Sequence, residues 1–121
     1  MSKPLILATG FGVFPGAPAN PTAWAMAELE REGWQPEGAR LATRTLSVQF
    51  DIWERELQPL LASTKPDAVV SFGLSAKASG ITLESTARNR VANDRPDFSG
   101  AHAGADCVSD AGPAVLPTRL P

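Results

Sequence analysis

Three short segments of this chain carry the hydrophobic patterns of β-strands. Leu5–Thr9 is a mostly apolar run that ends at Gly10, and Ala68–Gly73 is a second run that ends at a glycine. Leu41–Val48 lies between them, alternates in polarity and is rich in β-branched residues. Runs of the first kind are typical of strands buried on both faces of a parallel sheet.

Two amphipathic segments separate these strands and predict helices. Asn20-Pro21 is a favourable helix start, because asparagine accepts hydrogen bonds from free backbone N–H groups and proline loses none at the first position. Ala25 and Leu29, with Met26 beside them, are expected to form the apolar face, and Gly33 is expected to end the helix. Pro59 is expected to kink the second helix or to restart a turn within it. That helix is predicted by apolar residues spaced by three and four: Phe50, Trp53, Leu57, Leu60 and Leu61.

The alternation of strands and helices with short connections predicts the α/β class with a mainly parallel sheet. Ile81–Glu84 alternates in polarity and suggests a further strand, whereas irregular loops are expected from about Asn89 onward. Three or four strands with two helices leave much of a parallel sheet uncovered, which is uncommon. We therefore expect the first part of a larger domain, or a subunit covered by a partner.

The composition restricts the function only broadly. The 121 residues suit one domain, and 43% hydrophobic and 20% charged residues are ordinary values for a globular protein. The net charge of −2 gives no basic surface for nucleic acid, and no apolar run approaches the ~20 residues that span a membrane. A single cysteine, Cys107, excludes an internal disulfide and is consistent with a reducing, cytoplasmic setting.

The segment Gly10–Pro21 is the leading candidate for a ligand site, because ligands of open parallel sheets bind beyond the carboxyl ends of the strands. Its glycine spacing departs from the dinucleotide fingerprint, no carboxylate ends the second strand, and the loop has no lysine or arginine for a phosphate. Phe11 and Phe14 leave two alternatives open. They either line a flat, weakly polar pocket or pack beneath the loop.

Few residues offer covalent chemistry. Cys107 and His102 are the only candidates for a thiolate and its base, but the nearby Asp106 disfavours the thiolate, and no strand-to-helix turn presents the sulfur. One histidine and one cysteine do not form a four-ligand metal set, so no metal site is expected. Glu84 is either a solvated strand residue or the acid that orients a histidine in a triad.

Several motifs together resemble those of pyroglutamyl peptidase I, the pyrrolidone carboxyl peptidase family. The segment Thr9–Gly16, with sequence TGFGVFPG and followed by Asn20-Pro21, is similar to the family's N-terminal signature. The resemblance continues over essentially the whole chain through further short motifs: Lys65-Pro66-Asp67, Ile81-x-Leu83-Glu84, Ala87-x-Asn89, Pro96-Asp97, Gly112-Pro113-Ala114 and Leu120-Pro121.

This resemblance implies a cysteine exopeptidase that removes N-terminal pyroglutamate from peptides and needs no cofactor. It implies a three-layer α/β/α sandwich, incomplete in this chain, with residues 1–121 forming one domain as the N-terminal portion of the fold. Homo-oligomers are the family's usual assembly. By resemblance, Phe11 and Phe14 hold the pyrrolidone ring, Asn20 shapes the pocket, and Glu84 is the acid of a Cys-His-Glu triad.

The chain also departs from the family's pattern. The family's nucleophilic cysteine and its histidine correspond to positions beyond Pro121, so Cys107 does not inherit the nucleophile's role. Leu74 replaces a polar amide that supports the oxyanion, whereas Val48 and Arg95 replace pocket residues. An alternative is therefore a catalytically inactive module that binds a small ligand or a partner. A phosphate-using enzyme related to nucleoside phosphorylases is a weaker alternative.

Overall fold

A three-stranded parallel sheet forms the centre of the computed structural model, which describes residues 2–92 and 94–120. The strands are β1 (Leu5–Phe11), β2 (Arg40–Leu46) and β3 (Ala68–Ser71), in the order β2-β1-β3. The helices are α1 (Pro21–Glu32) and α2 (Gln58–Thr64), and a π-helical turn (Trp53–Leu57) precedes α2. The predicted α/β class with a mainly parallel sheet is confirmed.

Strand β1 is central and carries the core on both of its faces. Leu7 is fully buried and clusters with Leu46 and with Leu60 of α2, whereas Gly10 faces Thr22 and Met26 of α1. Because successive side chains of a strand point to opposite faces, α1 and α2 lie on opposite sides of the sheet. This arrangement gives the three layers that the resemblance implied.

Helix α1 begins and ends where the sequence predicted. The Asn20 side chain accepts a hydrogen bond from the Thr22 backbone N–H, and Gly33 ends the helix with a left-handed φ of 62°. Met26 is the side chain that α1 buries, whereas Ala25 and Leu29 are half-buried. All three side chains thus lie on the face that the sequence predicted to be apolar, and Met26 is the most deeply buried of them.

The second helix changes its type close to Pro59, where a kink or a restarted turn was expected. Pro59 lies in the first turn of α2, where a missing N–H costs no hydrogen bond, and the wider π-helical turn ends just before it. Leu60 is buried, but Phe50 and Trp53 are 41% and 47% exposed. The buried stripe is thus shorter than the periodicity predicted.

The prediction of a strand at Ile81–Glu84 was wrong. That segment is irregular and pairs with none of the strands among the described residues, and its Ile81 and Leu83 are 95% and 89% exposed. The strand lies a few residues later, at β4 (Thr86–Arg88), which pairs antiparallel with β5 (Val115–Pro117). The three-residue strand β5 is the regular element of the described residues after Asn89, a region in which loops with little regular structure were expected.

One side of the molecule is left open. Every residue from Val69 to Arg88 is exposed, including the apolar side chains of Phe72 and Leu74 at 44% and 43%. Within residues 2–92 and 94–120, no helix is long and apolar enough to cross a membrane.

Candidate functional site

The segment Gly10–Pro21 runs from the last two residues of β1 to the first residue of α1 and lies beside the carboxyl end of β2. The backbone N–H of Gly12 donates to the Leu46 carbonyl at 2.8 Å. Phe14 and Ala17 exchange two backbone hydrogen bonds of 3.2 and 2.8 Å, which fold the tip of the loop back on itself. The loop is therefore a structured edge at the end of the sheet where ligands of parallel sheets bind.

Asn20 holds this loop against the start of α1. It is 6% exposed, its Nδ2 donates to the Gly12 carbonyl at 3.1 Å, and its Oδ1 accepts from the Thr22 N–H and hydroxyl at 3.0 and 2.7 Å. Thr22 Oγ1 in turn accepts from the Phe11 N–H at 2.9 Å. Each side-chain polar atom of Asn20 has a partner within the protein, so the residue fixes the shape of the loop.

The two loop phenylalanines occupy different environments. Phe11 is half-buried and packs against the cluster of Leu7, Leu46 and Leu60. Phe14 is half-buried at the folded tip of the loop, next to the exposed Val13. The structure thus anchors one aromatic ring in the core and leaves the other on the loop.

Glu84 lies outside these contacts. It is an exposed residue in the irregular segment before β4, and the loop hydrogen bonds of Asn20 and Thr22 do not involve it. The structure therefore brings Phe11 and Asn20 together through Thr22 but does not join Glu84 to them.

A second cluster surrounds Asp97, which the sequence marked only as part of a motif. Its carboxylate is buried and accepts four hydrogen bonds of 2.7–3.0 Å, from the N–H and hydroxyl of Ser99 and from the N–H groups of Ala101 and Phe50. The Ser99 hydroxyl above all, then the backbone N–H groups, hold the pKa of Asp97 below its usual value. Asp97 thereby ties its own loop to the segment that follows β2.

A cleft of about 360 Å³ lies beside this carboxylate. Phe50, Asp51, Arg55 and His102 are among the side chains that line it. The spacing of Asp97 and Ser99 is typical of an Asx turn and could have indicated the local bend. The hydrogen bond between Asp97 and the Phe50 N–H could not be predicted from neighbouring residues, because it joins segments far apart in the sequence.

Cys107 lies beside two aspartates. Its Sγ donates to Asp110 Oδ1 at 3.3 Å. That hydrogen bond, burial and the charges of Asp110 and Asp106 all raise the pKa of the thiol. This agrees with the sequence argument against Cys107 as a nucleophile. Within the two described ranges, no group of three or more His, Cys, Asp or Glu side chains could hold a metal ion.

Comparisons with known proteins point to one family. The family profile described as pyroglutamyl peptidase matches residues 4–121. The pyrrolidone-carboxylate peptidase of Clavibacter michiganensis is 33% identical over 118 residues, which cover 98% of this chain and 54% of that protein. The pyrrolidone-carboxylate peptidase of Thermococcus kodakarensis is 31% identical over 116 residues, which cover 96% of this chain and 55% of that protein.

Solved structures agree with the sequence comparisons. Pyroglutamyl peptidase I of Bacillus amyloliquefaciens matches with a TM-score of 0.84 at 27% identity, over 98% of this chain and 57% of that one. The pyrrolidone carboxyl peptidase of Pyrococcus furiosus matches with a TM-score of 0.87 at 29% identity, over 97% of this chain and 55% of that one. The chain spans about half the length of the curated relatives it matches. Because the family profile covers residues 4–121 and the fold is shared, the chain belongs to the pyroglutamyl peptidase family.

Proposed function

We propose that this chain carries the ring-recognition part of a cysteine exopeptidase that removes N-terminal pyroglutamate from peptides. The observation that supports it best is the folded loop Gly10–Pro21, which the Asn20 side chain fixes at the carboxyl ends of β1 and β2. Family membership supplies the substrate class, since the relatives are named for it.

The loop suits a neutral lactam ring. Phe11 and Phe14 offer aromatic surface, and the loop contains no charged side chain that would demand a charged ligand. Asn20 contributes by holding the loop in shape, because its amide atoms are already used by Gly12 and Thr22. Recognition in this proposal depends on shape and apolar contact, with backbone groups supplying the hydrogen bonds.

The proposed reaction uses a cysteine thiolate that attacks the carbonyl of the pyroglutamyl residue and forms an acyl-enzyme. A histidine then protonates the leaving amine, and water releases the acid. Glu84 is proposed to orient that histidine. Cys107 is unsuited to the nucleophile's place, because its pKa is raised and its Sγ donates to Asp110. The nucleophile and the histidine are assigned to the part of the family fold that this chain does not span.

The proposal is tested by measuring whether this chain binds a compound that contains the pyrrolidone ring. L-pyroglutamyl amide should perturb the NMR signals of Phe11 and Phe14, and Phe14→Ala should weaken binding by about tenfold or more, because it removes one aromatic contact. Trp24→Ala is the matched control: it removes an aromatic side chain that is 68% exposed on α1. Equal affinity of the wild type and Phe14→Ala for L-pyroglutamyl amide would contradict the proposal that the loop binds the ring.

The alternative is a module that binds a small ligand or a partner without hydrolysis. It is favoured by the open side of the molecule and by the position of Glu84 apart from the loop contacts. A chromogenic pyroglutamyl anilide separates the two, when tested on this chain joined to the rest of the family fold. Release of the anilide supports the exopeptidase, whereas binding without release supports the module. A cytoplasmic location and a homo-oligomer remain part of the proposal.

A further inference from the structure

The bridge segment, residues 46–50, connects the loop Gly10–Pro21 to the cleft beside Asp97. Its first carbonyl accepts from the Gly12 N–H at 2.8 Å, and its last N–H donates to the Asp97 carboxylate at 3.0 Å. At no more than about 3.6 Å per residue, the two ends of the segment lie within about 14 Å of each other. The loop and the cleft are therefore neighbours at the carboxyl end of the parallel sheet.

The interior of the bridge segment is bent and held on both sides. The Gln49 N–H donates to the Ser47 carbonyl at 3.1 Å, so the two ends are closer than in an extended chain. The Glu56 carboxylate accepts from the Ser47 N–H and hydroxyl at 3.0 and 2.7 Å. The Val48 carbonyl accepts from the Phe98 N–H at 2.8 Å. The spacing between the loop and the cleft is therefore fixed by hydrogen bonds.

The cleft has the size and the lining of a ligand site. Its volume of about 360 Å³ lies within the usual range for small-ligand sites. Phe50 offers an aromatic surface that is 41% exposed, and Gln49 and His102 add hydrogen-bonding groups beside it. The Asp97 carboxylate already accepts four hydrogen bonds from the protein, so it shapes the wall of the cleft while the other side chains are free to contact a ligand.

The charged side chains of the cleft favour a cationic ligand. Arg55 donates two hydrogen bonds to Asp51 Oδ2, at 3.1 and 2.8 Å, and this pairing holds the pKa of Asp51 below its usual value. The charges of the pair cancel, and Asp97 adds one negative charge when His102 is counted as neutral. An anionic ligand would compete with Asp51 for Arg55, whereas a cationic one meets a net negative site.

We propose that this cleft binds the side chain of the residue that follows pyroglutamate in the peptide substrate, with a preference for lysine or arginine over glutamate or aspartate. The inference rests on the proposed function, because the ring must occupy the loop Gly10–Pro21. The Cα atom of the next residue lies about 3.8 Å further along the peptide. A long side chain on that residue then spans the bent bridge segment and enters the cleft.

NMR titration of the full 121-residue chain tests this subsite. The ligands are L-pyroglutamyl amide and the amides of L-pyroglutamyl-lysine and L-pyroglutamyl-glutamate, whose capped ends add no charge. All three should perturb the signals of Phe11 and Phe14, whereas only the two dipeptides should also perturb those of Phe50 and His102. The lysine dipeptide should bind about threefold more tightly than the glutamate dipeptide, since the charges in the cleft are partly exposed.

Two substitutions that remove one charge each then locate the contact. Asp51→Asn leaves Arg55 unpaired, so the preference for the lysine dipeptide should disappear or reverse. Glu54→Gln is the matched control, because Glu54 is exposed on the adjacent π-helical turn and does not line the cleft. The preference should persist in this control. Circular dichroism confirms that both variants are folded before the titration.

The outcomes separate this inference from the proposed function. If L-pyroglutamyl amide perturbs the loop but neither dipeptide perturbs the cleft, the inference is overturned and the proposed function stands. Perturbation of the cleft without the loop also overturns it, because the occupant then does not continue from a bound ring. Equal affinity for the two dipeptides is incompatible with it, as is a lysine preference that survives Asp51→Asn or is lost in Glu54→Gln. A loop and a cleft that no ligand perturbs overturn both.

Discussion

At the scale of single residues, Gly10 shows how closely the first helix approaches the sheet. A Cβ added at this position would lie 2.6 Å from the Thr22 carbonyl oxygen and 3.0 Å from Met26 Cγ. The first of these neighbours is backbone and cannot rotate away. The absence of a side chain at Gly10 is therefore what allows α1 to pack directly on β1.

Gly10→Ala should consequently destabilise the protein by about 1–3 kcal/mol, the usual cost of forcing extra volume into a packed interior. Gly73→Ala is the matched control: Gly73 lies near the end of β3, as Gly10 lies near the end of β1, but its added Cβ would meet no atom within 4 Å. Urea unfolding of the two variants measures the difference. Equal free energies of unfolding for Gly10→Ala and Gly73→Ala would show that α1 can shift away from β1 without loss of stability.

At the scale of elements, Asn20 belongs to both the loop and the helix. Its Oδ1 caps α1 through Thr22, and its Nδ2 holds the loop through the Gly12 carbonyl. A single side chain thus couples the start of α1 to the end of β1. The geometry of the candidate pocket is consequently set by the same residue that begins the helix.

Two substitutions separate these roles. Asn20→Asp retains an oxygen that can cap the helix but loses the donor to Gly12, whereas Asn20→Ala loses both. We expect Asn20→Ala to lower the free energy of unfolding by about 1–2 kcal/mol and Asn20→Asp to lower it less. Both should weaken binding of L-pyroglutamyl amide. Undiminished binding by Asn20→Asp would show that the hydrogen bond to Gly12 does not shape the site.

Elements with local signals were predictable from the sequence, and those that depend on distant partners were not. Strand β1 is marked by its own apolar run, and α1 by Asn20 and Gly33, so both were found. The alternation of Ile81–Glu84 was misleading, because alternation forms a strand only where another strand pairs with it. Strand β4 has such a partner in β5, far along the chain.

At the scale of the whole molecule, Asp97 joins two parts of the chain that the sequence does not connect. Its carboxylate accepts from the Phe50 N–H, and the adjacent Phe98 N–H donates to the Val48 carbonyl at 2.8 Å. Sequence patterns could not predict this junction, because hydrogen bonds between distant segments depend on the folded arrangement of both. The segment after β2 is thereby held in place by a loop from the last third of the chain.

The titration of Asp97 should be visible in the stability of the whole chain. Its pKa is lowered in the folded state, so its contribution is present above the ordinary value near ~3.9 and is lost as the pH falls through the lowered value. The stability difference between the wild type and Asp97→Asn should be constant from about pH 5 to 7 and shrink below about pH 4. Urea midpoints of both proteins measure it, and a difference independent of pH would contradict this role.

The central position of β1 has a consequence for the order in which the protein is made. Of the three strands of this sheet, β1 leaves the ribosome first, and its neighbours Arg40–Leu46 and Ala68–Ser71 are synthesised later. At about 5–20 residues per second, translation leaves Leu5–Ala8 without both partners for several seconds. Strand β1 is therefore exposed in the nascent chain before either neighbouring strand can pair with it.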